Sequence, residues 1–390
     1  MWKRFATLAI LSFLSIQPAS AETVRVGVLG PLSGPFALAG KNFKAGIDAY
    51  FALNGNKVGA NEIEVVYRDL PEPDPAKAKA LGQELIVKDK VQYLAGVYFT
   101  PNALALTSLL EQGNVPLVIF NAATSAITEK SALIVRTSFT IWQNVTPMTK
   151  VAIDRGFKKV ITTVADYGPG VDAEGAFKKG FEAAGGKVID AIRIPLKNTD
   201  FAPIMQRVKD SGADAVFAFM PAGPTALGYV KSYIDNGVKQ KGIEFLATGD
   251  LTNEPNLPAM GDAALGILTT FHYAVSHKSA VNEAFVAAAT KAIGNPAELD
   301  FPAVGAFDGM RVVAKMIEAT SGKQDAAKAV AAVKGFAWES PRGPVKIDPE
   351  TRHLTQNVYL RIVDKADGKF VNKEIATSAD QPDWGLSQAK

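Results

Sequence analysis

The chain has 390 residues, of which 47% are hydrophobic and none is cysteine. The lack of cysteine excludes disulfides, thiolate metal sites and cysteine nucleophiles, so the fold has to be stabilised by burial of apolar surface. The sequence holds 42 Lys and Arg against 39 Asp and Glu, a net charge of +3. This near balance gives no reason to expect nucleic acid as a partner.

The first 21 residues have the composition of a secretory signal peptide. Lys3 and Arg4 form a positive n-region, an apolar run follows from residue 5 to 16, and small residues lead to a cleavage site after Ala21. The apolar run is too short to span about 30 Å of hydrocarbon, which argues against a membrane anchor. We therefore expect a periplasmic mature protein, whose net charge falls to +1 because Lys3 and Arg4 are lost.

Short β-rich runs alternate with amphipathic helical stretches from Val24 onward, a pattern typical of α/β proteins with parallel sheets covered by helices. The first strands are predicted at 24–29, 63–68, 91–97 and 116–120, and a helix is predicted to begin after an Asp74 N-cap with Pro75 in its first turn. The alternation restarts with strands at 160–164, 188–194, 215–219 and 244–247, followed by helices near 280–292 and 302–319 and a β-like tail over 345–362. This restart predicts a second Rossmann-like unit.

The segment GPLSGPFALAG, Gly30 to Gly40, joins the first strand to the first helix. Backbone N–H groups and a helix N-terminus could hold an anion there. The segment has neither the Gly-Lys-Ser/Thr ending of a Walker loop nor the spacing G-x-G-x-x-G of a dinucleotide site. An ordinary flexible turn remains the alternative.

Two later segments place hydroxyl groups where a strand meets a helix. VYFTPNALA, residues 97–105, puts Thr100 and Asn102 beside a helix start, and NAATSA, residues 121–126, repeats the arrangement after the next strand. Hydroxyls and free N–H groups at helix starts suit a carboxylate, and two such ends side by side predict an anion pocket. Plain N-capping by Thr100, with Pro101 at the first helical position, is the alternative.

The second half supplies two further candidates. Tyr167 in ADYGPG follows a strand and could stack on a ligand and donate a hydrogen bond, although a partly buried tyrosine at a turn fits the same pattern. Asp250 in TGDLTNE could bind an ammonium or hydroxyl group, or serve as a turn or capping residue.

No catalytic constellation emerges from the sequence. The three histidines, His272, His277 and His353, stand at no zinc-ligand spacing, and there is no G-x-S-x-G motif. We expect no enzymatic activity, no cofactor and no metal site.

With these segments in place, the chain resembles the leucine/isoleucine/valine-binding protein family over nearly all of its mature length. The resemblance is carried by VRVGVLGPLSGPFALAG, NAATSAIT, VITTVADYGPG and RGPVKIDPETRHLTQNVYLRIV. It implies the type I periplasmic binding protein fold: two Rossmann-like lobes, joined by three hinge crossovers, that close on a ligand. The implied lobes are residues 22–140 plus 272–345 and residues 141–271 plus 346–390. The implied partners of this monomer are a small carboxylated ligand and an inner-membrane ABC permease.

Carried over by motif, the resemblance implies that the ligand carboxylate meets Thr100, the backbone of Ala122 and Ala123, and Thr124, while Tyr167 closes from the other lobe. The acid that binds the amino group in the family falls at Asp250 or one residue before it, so both registers stay open.

Several departures from the family pattern bear on the ligand. Ala39 and Pro221 stand where the family usually has aromatic residues, and the family's frequent disulfide is absent. Aromatic residues near strand ends or crossings are Phe36, Phe99, Trp142, Phe219 and Phe271, with Phe219 favoured as a core residue. The combination favours a flat aromatic or other hydrophobic carboxylate over a branched-chain amino acid.

Two other functions stay open. The alternative function is that of a ligand-binding sensor in a signalling system, and a remote alternative is a secreted α/β hydrolase.

Overall fold

The computed structural model describes residues 22–386, and the signal peptide assigned to residues 1–21 lies outside the described residues. The strands are β1 (Glu22–Gly30), β2 (Lys57–Val58), β3 (Asn61–Asp69), β4 (Tyr93–Gly96), β5 (Leu117–Ile119), β6 (Ile134–Arg136), β7 (Lys159–Ala165), β8 (Lys187–Ile194), β9 (Ala215–Phe219), β10 (Glu244–Thr248), β11 (Leu268–Phe271), β12 (Ala337–Ser340), β13 (Gly343–Ile347), β14 (Leu354–Ala366) and β15 (Lys369–Gln381). The α-helices are α1 (Ala37–Asn54), α2 (Pro75–Val87), α3 (Thr100–Gly113), α4 (Ile141–Asp154), α5 (Gly168–Ala183), α6 (Ala202–Asp210), α7 (Pro224–Asp235), α8 (Leu257–Met260), α9 (Ala280–Ile293), α10 (Phe301–Thr320) and α11 (Ala326–Val333).

The first lobe is built on a six-stranded sheet with the order β2-β3-β1-β4-β5-β6. All its neighbouring strands except β2 and β3 run parallel. Val24, Val26 and Val28 of the central strand are completely buried, as expected for a parallel strand covered by helices on both faces. The helix predicted after Asp74 is confirmed: this carboxylate accepts a hydrogen bond of 2.9 Å from the Lys77 N–H.

The second lobe is built on a nine-stranded sheet with the order β12-β13-β14-β11-β10-β9-β7-β8, with β15 paired to β14. The strands β7 to β11 are parallel, as predicted from the restart of the alternation, whereas β14 runs antiparallel to β11. The predicted β tail is confirmed as β13 and β14, but it is longer than predicted because β15 forms an antiparallel hairpin with β14. The two sheets and their helices confirm the α/β class.

The chain passes between the two sheets three times. The connections are residues 137–140 before α4, residues 272–279 before α9, and residues 334–336 before β12. The helices α9 and α10 pack on α1 and so return the chain to the first lobe. The division into lobes stays a prediction, but the pairing of β12 and β13 in the second sheet favours a boundary before Ala337 over the one expected after residue 345.

A buried ion pair ties the lobes together at these crossings. The Arg342 guanidinium from the β12–β13 turn lies 2.7 Å from Asp308 Oδ2 on α10, and both side chains are fully buried. Arg342 also donates to the backbone oxygens of Thr137 and Ser138 in the first crossing. Asp308 in turn accepts hydrogen bonds from Ser340 and Trp338. Each partner of the ion pair is therefore also hydrogen-bonded to groups around it, as a buried pair requires.

Candidate ligand-binding site

A small enclosed cavity lies between the lobes, at the carboxyl ends of strands from both sheets. Its lining residues are Tyr98, Thr100, Asn121, Ala123, Phe139, Ile141, Tyr167, Pro169, Phe219, Pro221, Ala222 and Asp250. Strand ends of doubly wound α/β sheets are where ligands usually bind in such folds. Because the lining comes from both sheets, the cavity can exist in this form only while the lobes are closed.

The first wall begins with an unusual backbone conformation after β4. Val97, a β-branched residue, has a φ of 62°, which is rare for any residue other than glycine. Its N–H donates to the Leu29 oxygen at 2.7 Å, and its own oxygen accepts from the Ala122 N–H at 3.0 Å. These bonds hold the strained turn that places Tyr98 and Thr100 at the cavity, and strain of this kind is concentrated at functional sites.

Two threonine hydroxyls meet at this wall. The Thr100 hydroxyl donates to the Thr124 hydroxyl at 3.2 Å. The alternative that Thr100 is a simple N-cap is wrong, because α3 begins at Thr100 itself and Phe99 stands at the cap position without a side-chain hydrogen bond. Within residues 22–386, the N–H groups of Ala123 and Thr124 have no hydrogen-bond partner, so both are free to donate to an anion.

The second lobe closes directly onto these hydroxyls. Gly168, the first residue of α5, packs so that a Cβ built on it would lie 2.6 Å from Thr124 Oγ1 and 3.3 Å from Thr100 Cγ2. The N-termini of α3 and α5 therefore converge on one place. Their unpaired N–H groups and dipoles favour a negative charge there, and together with the hydroxyls they make this end of the cavity a carboxylate-binding arrangement.

A second contact between the lobes lies directly beside Thr124. The Ser125 N–H donates to Asp172 Oδ2 on α5 at 3.0 Å, and the Ser125 hydroxyl donates to Asp383 Oδ1, which follows β15, at 2.6 Å. Burial raises the pKa of Asp172 to about 6, although its hydrogen bonds with Ser125 and Trp142 oppose the rise. The loop that carries the carboxylate donors is thus bonded to two acids of the other lobe in the closed state.

Asp250 is the acidic group of the cavity. It follows β10, is 5% exposed, and accepts a hydrogen bond of 2.9 Å from the Thr248 hydroxyl. Burial raises the pKa of its carboxyl to about 7, while the Thr248 bond and the Arg361 charge partly oppose the rise. At neutral pH this group can therefore either donate or accept a hydrogen bond, which suits a ligand hydroxyl as well as an ammonium group.

Aromatic rings form a large part of the remaining lining. Tyr167 stacks on Phe219 with 6.2 Å between ring centroids and 21° between ring planes. Tyr98 packs edge-on against Phe99, and burial raises the pKa of both Tyr98 and Tyr167 well above its usual value. Both phenols are therefore neutral hydrogen-bond donors at neutral pH. Asn121 donates to the Tyr98 oxygen at 2.9 Å, and its buried Oδ1 has no partner among the described residues.

The structure brings together only some of the residues singled out in the sequence. Thr100, Ala123, Tyr167 and Asp250 line the cavity, and Thr124 contacts Thr100 beside it. The side chains or backbone groups that do not reach it are Phe99, Asn102, Ala122, Trp142 and Phe271, while Phe36 lines a neighbouring cavity. Phe219, favoured as a core residue, is a cavity wall.

The residues that do not reach the cavity have other partners. Asn102 accepts from the Asp74 N–H and donates to the Glu72 oxygen, which fixes the loop before α2. Phe271 is fully buried against Phe139, Phe301 and the Arg361 guanidinium. Ligand contact by any of the predicted residues stays a prediction.

The closed cavity is narrow, with a volume of about 10 Å³, close to what one water molecule requires. A ligand larger than water therefore enters only if the lobes open, and the cavity of the bound state has to be wider than this one. Within residues 22–386, no three His, Cys, Asp or Glu side chains form a group that could hold a metal ion. In the same range, none of the helices has the length and apolarity to cross a membrane.

Comparisons with known proteins agree with this two-lobed architecture. A family model described as periplasmic binding protein matches residues 23–369. The chain is 65% identical over 386 residues to the Leu/Ile/Val-binding protein homolog 6 of Brucella melitensis, covering 98% of this chain and 99% of that protein.

Two solved structures are also similar. One is an ABC transporter solute-binding protein from Rhodopseudomonas palustris in complex with 4-hydroxybenzoate, with 61% identity, a TM-score of 0.93, and coverage of 94% of this chain and 99% of that chain. The other, from the same species, is in complex with 3,4-dihydroxybenzoic acid, with 43% identity, a TM-score of 0.88, and coverage of 93% and 99%. The predicted type I fold is thereby confirmed, and the chain belongs to the periplasmic binding protein family of ABC-transporter solute receptors.

Proposed function

We propose that the protein captures a small aromatic carboxylate in the periplasm and delivers it to an inner-membrane ABC permease. The observation that carries this proposal is the convergence of the Thr100 and Thr124 hydroxyls, free backbone N–H groups and two helix N-termini on one end of a cavity that is also lined by four aromatic residues. This arrangement offers a carboxylate several neutral donors without a cationic side chain.

The rest of the cavity favours an aromatic acid over leucine. Tyr167 and Phe219 both line the cavity, so a flat ring can pack against their aromatic surface. Asp250 and Asn121 Oδ1 offer acceptors to a ring hydroxyl. The two similar proteins from Rhodopseudomonas palustris, solved with hydroxylated benzoates, support the same ligand class.

The branched-chain alternative rests on Asp250, because an ammonium group would bind its ionised form. Burial raises the pKa of Asp250 to about 7 in the closed form, so binding of an ammonium group near neutral pH would be coupled to loss of the Asp250 proton. The Brucella melitensis relative is called a Leu/Ile/Val-binding protein homolog, so leucine and valine belong among the ligands to be tested.

A thermal-shift panel tests the proposal. Benzoate and 4-hydroxybenzoate should stabilise the mature protein, since a ligand at 100 times its Kd adds about 2.7 kcal/mol, while leucine and valine should leave the midpoint unchanged. Glycerol at equal concentration serves as the non-carboxylate control. Stabilisation by leucine and valine alone would contradict the proposal and identify a branched-chain amino acid as the ligand.

A further inference from the structure

A second and larger cavity lies beside the first. It has a volume of about 230 Å³ and is lined by the β1–α1 segment of the first lobe and by the start of α7 in the second. Tyr98 and Ala222 line both cavities. These two residues are therefore the partition between a narrow chamber that ends at the threonine hydroxyls and a wide one that ends at α1.

The partition is a weak one. Its two residues are joined by a hydrogen bond from the Tyr98 hydroxyl to the Ala222 backbone oxygen, a neutral bond with a length of 3.3 Å that connects the two lobes. A single long, neutral hydrogen bond contributes little net stability, so a ligand group that packs in its place can displace it. On the side of the wide chamber, the centroid of the Tyr98 ring lies 6.0 Å from the centroid of the Phe36 ring. Displacing the phenol would open one continuous cleft between the two cavities.

The lining of the wide chamber determines what it can accept. Phe36, Leu38, Ala39 and Leu227 supply apolar and aromatic surface. Asp300 also lines it and no cationic side chain of the described residues does, which disfavours a second carboxylate at this end. Asn256 uses its amide N–H groups on Gly223 and Asn253, which leaves its oxygen as an acceptor for a hydroxyl.

We propose that the wide chamber is a subsite for the ring of extended aryl acids, in which a two- or three-carbon chain separates the ring from the carboxylate. The carboxylate stays at Thr100 and Thr124, so this inference rests on the proposed function. The chain passes Tyr98 and Ala222, and the ring packs against Phe36 and Leu227. Benzoates use only the narrow chamber. One carboxylate site would then serve both short and extended aryl acids.

Titration calorimetry with 4-hydroxybenzoate and 4-hydroxycinnamate tests the subsite. Ala39→Phe fills the wide chamber from the first lobe, and Leu227→Phe fills it from the second, while neither residue lines the narrow chamber. Each variant should weaken 4-hydroxycinnamate by at least about tenfold and change 4-hydroxybenzoate by less than about twofold. Two variants on opposite walls guard against a folding defect in one of them.

The outcomes separate this subsite from the proposed function. Binding of 4-hydroxybenzoate but not 4-hydroxycinnamate by the unmodified protein would overturn the subsite alone. Unchanged affinity for 4-hydroxycinnamate in both filled variants, or an equal loss for both acids, would overturn it as well. Binding of neither acid would contradict the proposed function itself.

Discussion

Gly168 of the second lobe packs so tightly on Thr124 of the first that a Cβ at position 168 would lie 2.6 Å from the threonine hydroxyl. Real Cβ atoms do not approach other atoms this closely, so the lobes can close in this way only because residue 168 is a glycine and has no side chain. The contact connects the carboxylate-binding end of the cavity with the movement of the lobes.

Gly168→Ala should weaken 4-hydroxybenzoate binding by at least about tenfold, because the added methyl group prevents full closure. The open protein should keep its stability, since alanine is a better helix former than glycine at the start of α5. The matched control is Gly175→Ala on the same helix, where a Cβ would lie 3.7 Å from Trp142, an ordinary contact. Calorimetric affinities equal for the two variants would show that closure tolerates the methyl group.

Thr124→Val should also weaken binding by about tenfold or more, because it removes the hydroxyl that donates to the ligand. The methyl group that replaces the hydroxyl has a similar size, so the packing should not change. Thr124→Ser should keep most of the affinity, since it retains the donor. Thr107→Val is the control on α3, because the Thr107 hydroxyl bonds only to its own helix at the Leu104 oxygen. Equal affinities for the valine and serine variants at position 124 would remove this hydroxyl from the ligand contacts.

Asp172→Ala should weaken binding by about tenfold, because hydrogen bonds to charged groups contribute about 1.5–3 kcal/mol and this one joins the lobes only when they are closed. Glu174→Ala is the control: it lies on the same helix but pairs with Arg193 within the second lobe. Small-angle scattering with saturating ligand should show a more open ensemble for the Asp172 variant. A ligand-bound variant as compact as the unmodified protein would contradict the role of this contact in closure.

The stability of the protein should fall between about pH 4 and pH 7 through Asp250. Burial raises the pKa of this group in the folded chain to about 7, above the usual value of 3.8, so the folded state binds more protons than the unfolded state in this window. Stability is therefore greatest below the unfolded pKa and is lost as the pH rises through the folded pKa.

Asp250→Asn should reduce that loss, because the amide has no charge to bury. Urea unfolding at pH 4.5 and pH 7.5 measures the difference, which should be on the order of a few kcal/mol smaller in the variant. The same decline in both proteins would mean that other acids, such as Asp300, account for it.

Arg342→Met should destabilise the ligand-free protein by about 3–5 kcal/mol, because it leaves the Asp308 carboxylate buried at the hinge without its cation. The comparison is Arg25→Met, which breaks a pair with Glu64 whose side chains are about half exposed and should change stability by about 1 kcal/mol or less. Urea unfolding curves of the two variants make the comparison. Equal midpoints would show that the hinge tolerates the loss of its ion pair.

The sequence predicted those parts of the fold and the site that depend on local patterns. The strands at 215–219 and 244–247 and the helices near 280–292 and 302–319 are found within one or two residues of their predicted bounds. Thr100 and Thr124 could be identified because each follows a buried strand. The strands β6 and β11, of three and four residues, were not predicted.

The features that escaped sequence reasoning depend on contacts between distant segments. Tyr98, rather than Phe99, faces the cavity, because Phe99 turns into the cluster with Phe36. Gly168 carries no functional group, and its role arises only where the second lobe meets Thr124. Asn102 has the residue type of a ligand-binding group, but its amide is used by the loop at Glu72 and Asp74. None of these outcomes follows from spacing alone.

A crystal structure of the mature protein with 4-hydroxybenzoate is the most direct test of the account. It should show the lobes closed, the carboxylate within about 3.2 Å of the Thr100 and Thr124 hydroxyls and a backbone N–H of the 122–124 segment, and the ring against Tyr167. A carboxylate bound away from both threonines, or a ligand held by only one lobe, would contradict it.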